Sequence, residues 1–221
     1  MILAAGLGTR LAPLTDHRPK PLLEVGGAPL IDHHLTRLAA AGFKDVVVNT
    51  SHLASLIEEH LGNGQRWGLQ IIISREPSPP LDTGGGIKHA LTLLGDAPFL
   101  VINGDVYTDM PLIPRDLGDD LAHLFLVDNP GHNSAGDFVL VRDRVLNPTK
   151  NSEEKTLTFS GTGIYDPRLF RHHDASRFPL APLLRESCER NLVSGEHYGG
   201  RWVDVGTVQR LEAARLLALG N

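Results

Sequence analysis

Residues 3–15 read Leu-Ala-Ala-Gly-Leu-Gly-Thr-Arg-Leu-Ala-Pro-Leu-Thr, and Pro-Lys-Pro follows at residues 19–21. An apolar strand start therefore runs directly into a glycine-rich loop, an arginine and a lysine between two prolines. The loop glycines lack Cβ, so their backbone can come close to a phosphate and point N–H groups at its oxygens. Arg10 adds a planar fork of donors, and Lys20 adds a compact positive charge. This stretch predicts a loop that wraps a nucleoside triphosphate, and it matches neither a dinucleotide fingerprint nor a P-loop.

The composition predicts one globular domain without a membrane span. The 221 residues suffice for a sizeable core, and hydrophobic residues make up 41% of them, as in folded proteins. The formal net charge of −5 argues against a nucleic-acid partner. The single cysteine, Cys188, excludes an internal disulfide. We see no long apolar segment and no charged leader, so we expect a cytoplasmic protein that does not associate with membranes.

Short apolar runs alternate with helical patterns as far as about residue 120. The predicted strands are residues 2–4, 45–49, 69–73 and 99–102, and the predicted helices are residues 29–41, 53–61 and 85–94. Strands that are apolar throughout are typical of a parallel sheet with both faces covered. The order therefore predicts an α/β fold, a Rossmann-like and mostly parallel or mixed central sheet with helices on both faces.

The pattern changes in the second half of the chain. The predicted strands there are residues 121–127, 138–141, 156–160, 163–165 and 202–205, the predicted helices are 180–190 and 208–219, and 150–155 is an expected exposed turn. This order predicts a mixed sheet. Because no long linker separates the halves, we expect a single domain, residues 1–221. The half up to about residue 120 is expected to bind the nucleotide, and the half beyond it is expected to bind a second substrate, called the acceptor below.

Two aspartates lie where a divalent cation could bind. Asp105 follows the strand at 99–102, and ligands of open α/β sheets lie beyond the carboxyl ends of strands. Asp204 lies inside an apolar strand, where a carboxylate is costly unless it is paired, hydrogen-bonded or bound to metal. Two carboxylates together with phosphate oxygens and waters suit Mg²⁺.

The opening stretch resembles the N-terminal motif of the sugar-phosphate nucleotidyltransferase family, Leu-Ala-Ala-Gly-x-Gly-Thr-Arg-Leu-x-Pro-Leu-Thr followed by Pro-Lys-Pro-Leu. The match continues as far as Ile31, and Gly-Asp at 104–105 and Val-Asp-x-Gly-Thr at 203–207 are also family features. The resemblance covers essentially the whole chain. It implies transfer of a nucleotide from a nucleoside triphosphate to a sugar 1-phosphate, with Mg²⁺ held between Asp105 and Asp204.

The resemblance also implies roles for individual residues. Arg10 and Lys20 are the expected catalytic residues. Nucleotide binding is expected of Leu3, Ala4, Ala5, Gly6, Gly8, Thr9, Arg10, Lys20, Glu76, Gly84 and Asn103. Sugar binding is expected of Gly85, Asn129, Asp137, Gly161 and Glu196.

The stretch Arg-Glu-Pro-Ser-Pro-Pro-Leu-Asp-Thr-Gly-Gly-Gly at 75–86 resembles the family's base-and-sugar loop, with Glu76 at the base-reading position. A carboxylate only accepts hydrogen bonds. It therefore favours uracil, thymine and guanine, which carry a ring N–H at the pairing edge, over cytosine and adenine, which carry a bare nitrogen there. UTP is the expected nucleotide, and dTTP and GTP remain open.

The acceptor side departs from the usual family pattern. Asn-Pro-Thr-Lys at 147–150 replaces the family's Glu-Lys-Pro motif, which argues against ordinary glucose 1-phosphate. Residues 127–132, 157–161 and 193–207 resemble members that act on N-acetylmuramate 1-phosphate in cell-wall sugar recycling. The candidate cations for its lactyl carboxylate are Arg142, Lys150, Lys155 and Arg201.

Other activities stay open at this point. The same chemistry could serve mannose 1-phosphate with GTP, or glucose 1-phosphate with UTP or dTTP. A non-catalytic nucleotide-sugar sensor is the alternative from another functional class. We expect a monomer, because longer family members carry an additional C-terminal segment used for assembly.

Overall fold

The computed structural model describes residues 1–149, 154–171 and 173–220. Residues 150–153, within the expected turn, lie outside this range. The strands are β1 Ile2–Leu3, β2 Glu24–Val25, β3 Ala28–Pro29, β4 Asp45–Thr50, β5 Gln70–Arg75, β6 Phe99–Asn103, β7 Val106–Thr108, β8 Ala122–Val127, β9 Phe138–Val141, β10 Arg144–Leu146, β11 Thr156–Tyr165, β12 Val193–His197 and β13 Trp202–Asp204. The helices are α1 Leu30–Ala40, α2 Ala54–Leu61, α3 Asp82–His89, α4 Leu91–Leu94, α5 Arg168–Arg171, α6 Leu180–Glu189 and α7 Val208–Leu219.

Nine strands form one sheet in the order β5-β4-β1-β6-β11-β8-β12-β10-β9. The pairs among β5, β4, β1 and β6 are parallel, as the fully apolar strands predict. β11 runs antiparallel to both β6 and β8, and β12 is parallel to β8. The predicted α/β class, with a parallel first half and a mixed second half, is confirmed.

Alternation along the strands supplies both faces of the sheet with apolar side chains. In β4, Val46 and Val48 pack into one buried cluster with Leu35 of α1 and Ile57 of α2. The intervening Val47 packs into a second cluster that contains buried residues of α3, α5 and α6. Because successive strand residues point to opposite faces, a strand that is apolar throughout needs helices on both sides.

The largest differences from the predicted boundaries fall in one strand and one helix. The strands predicted at 156–160 and 163–165 are one strand, β11, whose register with β8 shifts between Phe159 and Gly163. Gly161 lies at this irregularity with a φ of 79°, a left-handed conformation that glycine tolerates and that suits a bulge. The helix predicted at 85–94 begins earlier, at Asp82, and is divided at Ala90.

A third buried cluster lies beneath the glycine-rich loop. Leu211 and Ala214 of α7 pack there with Leu11 and with Val205, which directly follows β13. The last long helix therefore holds the end of the opening loop against the strand that carries Asp204. Among the described helices, none combines the length and apolar character needed to cross a bilayer.

His34 makes the stability of the fold depend on pH. Burial in α1, reinforced by the nearby charge of Arg37, lowers the pKa of His34 from 6.5 to about 3. The unfolded chain takes up this proton near pH 6.5, whereas the native state does so only near pH 3. The contribution of the neutral His34 ring to the free energy of unfolding is therefore fully present above pH 6.5 and is lost as the pH falls towards 3.

We expect the free energy of unfolding of the wild type to fall by about 2 kcal/mol more between pH 7 and pH 5 than that of His34→Leu. Urea denaturation at both pH values measures this difference. The exposed His52 supplies the control, because His52→Asn should follow the wild type. Equal losses in the wild type and His34→Leu would show that the buried ring does not govern this pH dependence.

Candidate active site

A cavity of about 440 Å³ opens at the carboxyl ends of β1, β4 and β6. Ligands of open α/β sheets bind at this edge. The cavity brings together most of the predicted nucleotide and catalytic residues, namely Leu3, Ala4, Ala5, Gly6, Gly8, Thr9, Arg10, Lys20, Glu76 and Asn103, together with Asp105. Asn49, Arg177 and Gly206 also line it.

Local hydrogen bonds fix the turn of the glycine-rich loop. Gly8 has a φ of 67°, and a Cβ there would lie 3.0 Å from Thr15 Cγ2. The Thr15 hydroxyl donates to the Gly8 carbonyl at 2.9 Å, and Leu11 N donates to the same carbonyl at 2.9 Å. The φ and the close neighbour together require glycine at this position. The turn leaves Arg10 exposed at the cavity wall.

The two predicted metal ligands lie close together although 98 residues lie between them in the chain, with Asp105 in the turn directly before β7 and Asp204 at the end of β13. β13 pairs with β7 so that Asp204 lies opposite Val106, the residue after Asp105. Val205 N donates to the Asp105 carbonyl at 2.7 Å. Lys20 Nζ bonds the Asp105 carboxylate, and its side chain is only 11% exposed. The pairing of β13 with β7 thus brings Asp204 close to Asp105, and the largely buried Lys20 pairs with Asp105 beside the glycine-rich loop.

Asp204 is held by two donors. Its Oδ2 lies 2.9 Å from Arg210 Nη1, and its Oδ1 lies 3.1 Å from His132 Nε2. Burial raises the pKa of Asp204 above its usual value, and the negative charge of Asp105 raises it further, whereas Arg210 and His132 lower it.

The donor chemistry of this acid pair fits Mg²⁺. Within the described ranges, no three His, Cys, Asp or Glu side chains cluster as a metal site. Asp105 and Asp204 supply carboxylate oxygens only, and Mg²⁺ is commonly held by one or two carboxylates plus phosphate and water oxygens. A divalent cation would also offset the repulsion between the two acids.

Glu76 is a buried residue, 6% exposed, rather than a surface charge. Asn49 Nδ2 donates to its Oε1 at 2.6 Å, and Leu81 N donates to its Oε2 at 2.7 Å. Asn49 Oδ1 in turn accepts from Ala4 N at 2.7 Å. These bonds tie the glycine-rich loop to the loop that carries Glu76, and both side chains line the cavity.

Gly84 and Gly85 do not line the cavity. They are buried against the segment around Phe178, whose carbonyl accepts from Gly85 N at 3.1 Å and whose ring leaves no space for a Cβ on Gly84. This close packing brings Arg177 to the cavity wall, where it makes no ion pair among the described residues. The roles of Gly84 in nucleotide binding and of Gly85 in sugar binding remain predictions.

Gly161 does not line the cavity itself, but it packs against one of the lining residues. A Cβ on it would lie 2.6 Å from Asn103 Nδ2, so it contacts a cavity residue directly. Glu196, by contrast, lies outside the cavity lining and pairs with Arg115. Its contact with the sugar remains a prediction.

Asn129 and Asp137 also lie outside the cavity lining and bond to β11. Asn129 Nδ2 donates to the Thr156 carbonyl at 3.1 Å, and Phe159 N donates to Asp137 Oδ2 at 2.8 Å. These bonds give both residues a structural role, and their contact with the sugar remains a prediction.

The candidate cations for the lactyl carboxylate are dispersed. Lys155 pairs with Asp128 at 2.7 Å, and Arg142 lies in the turn between β9 and β10. Arg201 lines a second cavity of about 410 Å³. Lys150 lies outside the described residues. None of the three described cations lines the first cavity.

Four residues of the site were missed in the sequence, namely Asn49, His132, Arg177 and Arg210. Asn49 carried the signal that identified Asn103, a polar residue where an apolar strand ends at the ligand-binding edge. His132 lies in a segment quoted for its resemblance, without a role. Arg177 carries no local signal, because tertiary packing alone brings it to the site. Arg210 lies in the first turn of α7, and the turn into that helix directs its side chain back to Asp204.

Comparison with known proteins identifies the family. Residues 1–117 match the family model described as nucleotidyl transferase. The chain is 49% identical to the N-acetylmuramate alpha-1-phosphate uridylyltransferase of Neisseria meningitidis serogroup B, over 99% of this chain and 97% of that protein. It is 37% identical to the protein of the same name from Caulobacter vibrioides, over 97% and 94% of the two chains.

A further relative in sequence and a solved structure with the same fold are also nucleotidyltransferases by name. A mannose-1-phosphate guanylyltransferase of Mycobacterium tuberculosis is 41% identical over 56% of this chain and 32% of that protein. A Bacillus anthracis structure, provisionally assigned as a glucose-1-phosphate thymidylyltransferase, shares the fold with a TM-score of 0.83 at 21% identity, over 100% of this chain and 94% of that one. The chain belongs to the nucleotidyl transferase family.

Proposed function

We propose that this protein transfers UMP from UTP to the α-1-phosphate of N-acetylmuramate. An oxygen of the sugar phosphate forms a bond to the α-phosphorus of UTP, the bond from that phosphorus to the β-phosphate bridging oxygen breaks, and pyrophosphate leaves. The observation that carries the proposal is the placement of Asp105, Asp204 and Lys20 together beside the glycine-rich loop. The full-length identity to two uridylyltransferases of this acceptor supports the choice of substrates.

The chemistry needs positioning and charge rather than a covalent nucleophile, because the attacking phosphate is already ionised. In this proposal, Arg10 and the loop amides bind the triphosphate and stabilise the departing pyrophosphate. Lys20 neutralises charge near the reacting phosphates. Asp105 and Asp204 would hold Mg²⁺, which when bound supplies positive charge to the phosphates.

The two halves of the chain divide the substrates between them. We assign the nucleotide to the part before about residue 120, with Glu76 facing the base. We assign the sugar phosphate to the part beyond it, where Gly161 packs against the cavity residue Asn103. His132 belongs to the acceptor half and reaches Asp204, so an occupied acceptor site would adjoin the acid pair.

A matrix of nucleotides and sugar phosphates tests the proposal. Pyrophosphate release is measured with UTP, dTTP, GTP and CTP against the 1-phosphates of N-acetylmuramate, N-acetylglucosamine, mannose and glucose, with Mg²⁺ present. We expect the highest kcat/KM for UTP with N-acetylmuramate 1-phosphate. Preference for GTP with mannose 1-phosphate would replace this activity with the guanylyltransferase alternative, and no release with any pair would favour a nucleotide-sugar sensor.

A further inference from the structure

Asn49 is a buried polar residue at the end of β4, and it is 3% exposed at the cavity wall. Its Oδ1 accepts from Ala4 N at 2.7 Å, and its Nδ2 donates to Glu76 Oε1 at 2.6 Å. Glu76 Oε2 accepts from Leu81 N at 2.7 Å. This set of three hydrogen bonds, called the buried relay below, fixes which end of the Asn49 amide is the donor.

The buried relay leaves hydrogen-bonding capacity unused on two residues that line the cavity. Nδ2 carries two N–H groups, and within the described residues only one has an acceptor. Each Glu76 oxygen accepts one described bond and has a second lone pair. The buried Gly86 packs against both side chains, since a Cβ there would press on Glu76 Oε1 and lie 2.9 Å from Asn49 Nδ2. A buried donor and a buried acceptor therefore stand side by side at the cavity wall.

We propose that Asn49 is a specificity-determining residue that reads the nucleotide base together with Glu76. Uracil presents a ring N–H directly beside a carbonyl oxygen, which matches an acceptor beside a donor. Cytosine presents a bare ring nitrogen at the first position, so Glu76 would face a second acceptor. The inference rests on the proposed function, and it adds a second reading group and a fixed polarity to that site.

The test exchanges the polarity of the buried relay. In Asn49→Asp, a carboxylate oxygen replaces the donor and faces Glu76. In Glu76→Gln, one of the two oxygens that accept in the wild type becomes an amide nitrogen. The double variant carrying both changes keeps every internal bond and the net charge, because the new amide at position 76 can donate to the new carboxylate at position 49 and accept from Leu81 N. It presents a donor where Glu76 presents an acceptor.

We expect each single variant to raise the KM for UTP about 10–100-fold, since each leaves a buried polar group mismatched. The double variant should regain the Tm of the wild type. Its KM for UTP should nevertheless stay at least about tenfold raised, and its UTP-to-CTP ratio of kcat/KM should fall at least about 30-fold. Recovery of UTP kinetics with an unchanged ratio would show that Asn49 only supports the fold, and would overturn the proposal.

Asn49→Ser keeps the test decisive if the double variant does not regain its Tm. Serine is too short to donate where the amide does, so the UTP-to-CTP ratio should fall at least about tenfold. An equal loss with both nucleotides overturns the proposal. The exposed Asn63, changed to Ser, should leave the ratio unaltered. Absence of turnover by the wild type with every nucleotide would instead count against the proposed function itself.

Discussion

Asp105→Asn is expected to abolish Mg²⁺-dependent turnover, with kcat reduced at least about 10³-fold. The asparagine keeps the size of the side chain and one oxygen, but it removes the negative charge beside Asp204. A pair that carries two negative charges then carries one, and its attraction for a divalent cation falls accordingly. Pyrophosphate release measured across a wide range of Mg²⁺ concentrations checks this result.

Two comparisons separate a lost metal ligand from a damaged fold. Asp204→Asn should give a loss of similar size, because the proposal assigns both acids to one ion. Asp96→Asn is the control, since the Asp96 side chain is 95% exposed and pairs with Arg171 at the surface. Thermal melting should show all three variants folded. Retained activity with unchanged Mg²⁺ dependence in Asp105→Asn would place the metal elsewhere.

The first half of the fold could be predicted because its signals are local. β4, β5 and β6 are largely apolar, and glycines or turn residues follow the intervening helices. The start of α3, the helix that contains Gly84–Gly86, was harder to predict, because these glycines serve tertiary packing and give no local signal for a helix. The segment around Phe178 lies directly on two of them, and that contact links segments more than 90 residues apart.

The candidate site was predictable where each residue stands at a strand end or in a contiguous motif. Asp105 and Asn103 lie at the end of a buried strand, and Arg10 and Lys20 belong to the opening stretch. Asn49 occupies an equivalent strand end but lies outside the motif, so no role was inferred for it. Whether Glu76 was buried could not be read from its surroundings, because its partners come from β4 and from the turn before α3.

The side chains that surround Asp204 show the limit of sequence reasoning. The cost of a carboxylate in an apolar strand indicates that partners must exist. It does not name them, because Arg210 lies on the following helix and His132 on a turn of the acceptor half. The pairing of β13 with β7 then brings Asp204 beside Asp105, a contact that the sequence does not show either.

Lys20→Ala should lower kcat about 10²–10³-fold while changing the KM for UTP much less, the usual loss for one preorganised charge donor. The flanking prolines and the turn Lys20–Leu22 fix the backbone, and the side chain lies beside Asp105 with little exposure to water. A positive charge held this way loses little freedom when the phosphates react, so its effect falls on the transition state.

Two further variants control for the position and the charge of this lysine. Lys20→Arg should be as inactive as Lys20→Ala, because a planar guanidinium cannot occupy the space of an ammonium. Lys44→Ala, at an exposed lysine, controls for charge alone. Activity of Lys20→Ala within threefold of the wild type would remove Lys20 from catalysis and leave Arg10 and the loop amides to stabilise the departing pyrophosphate.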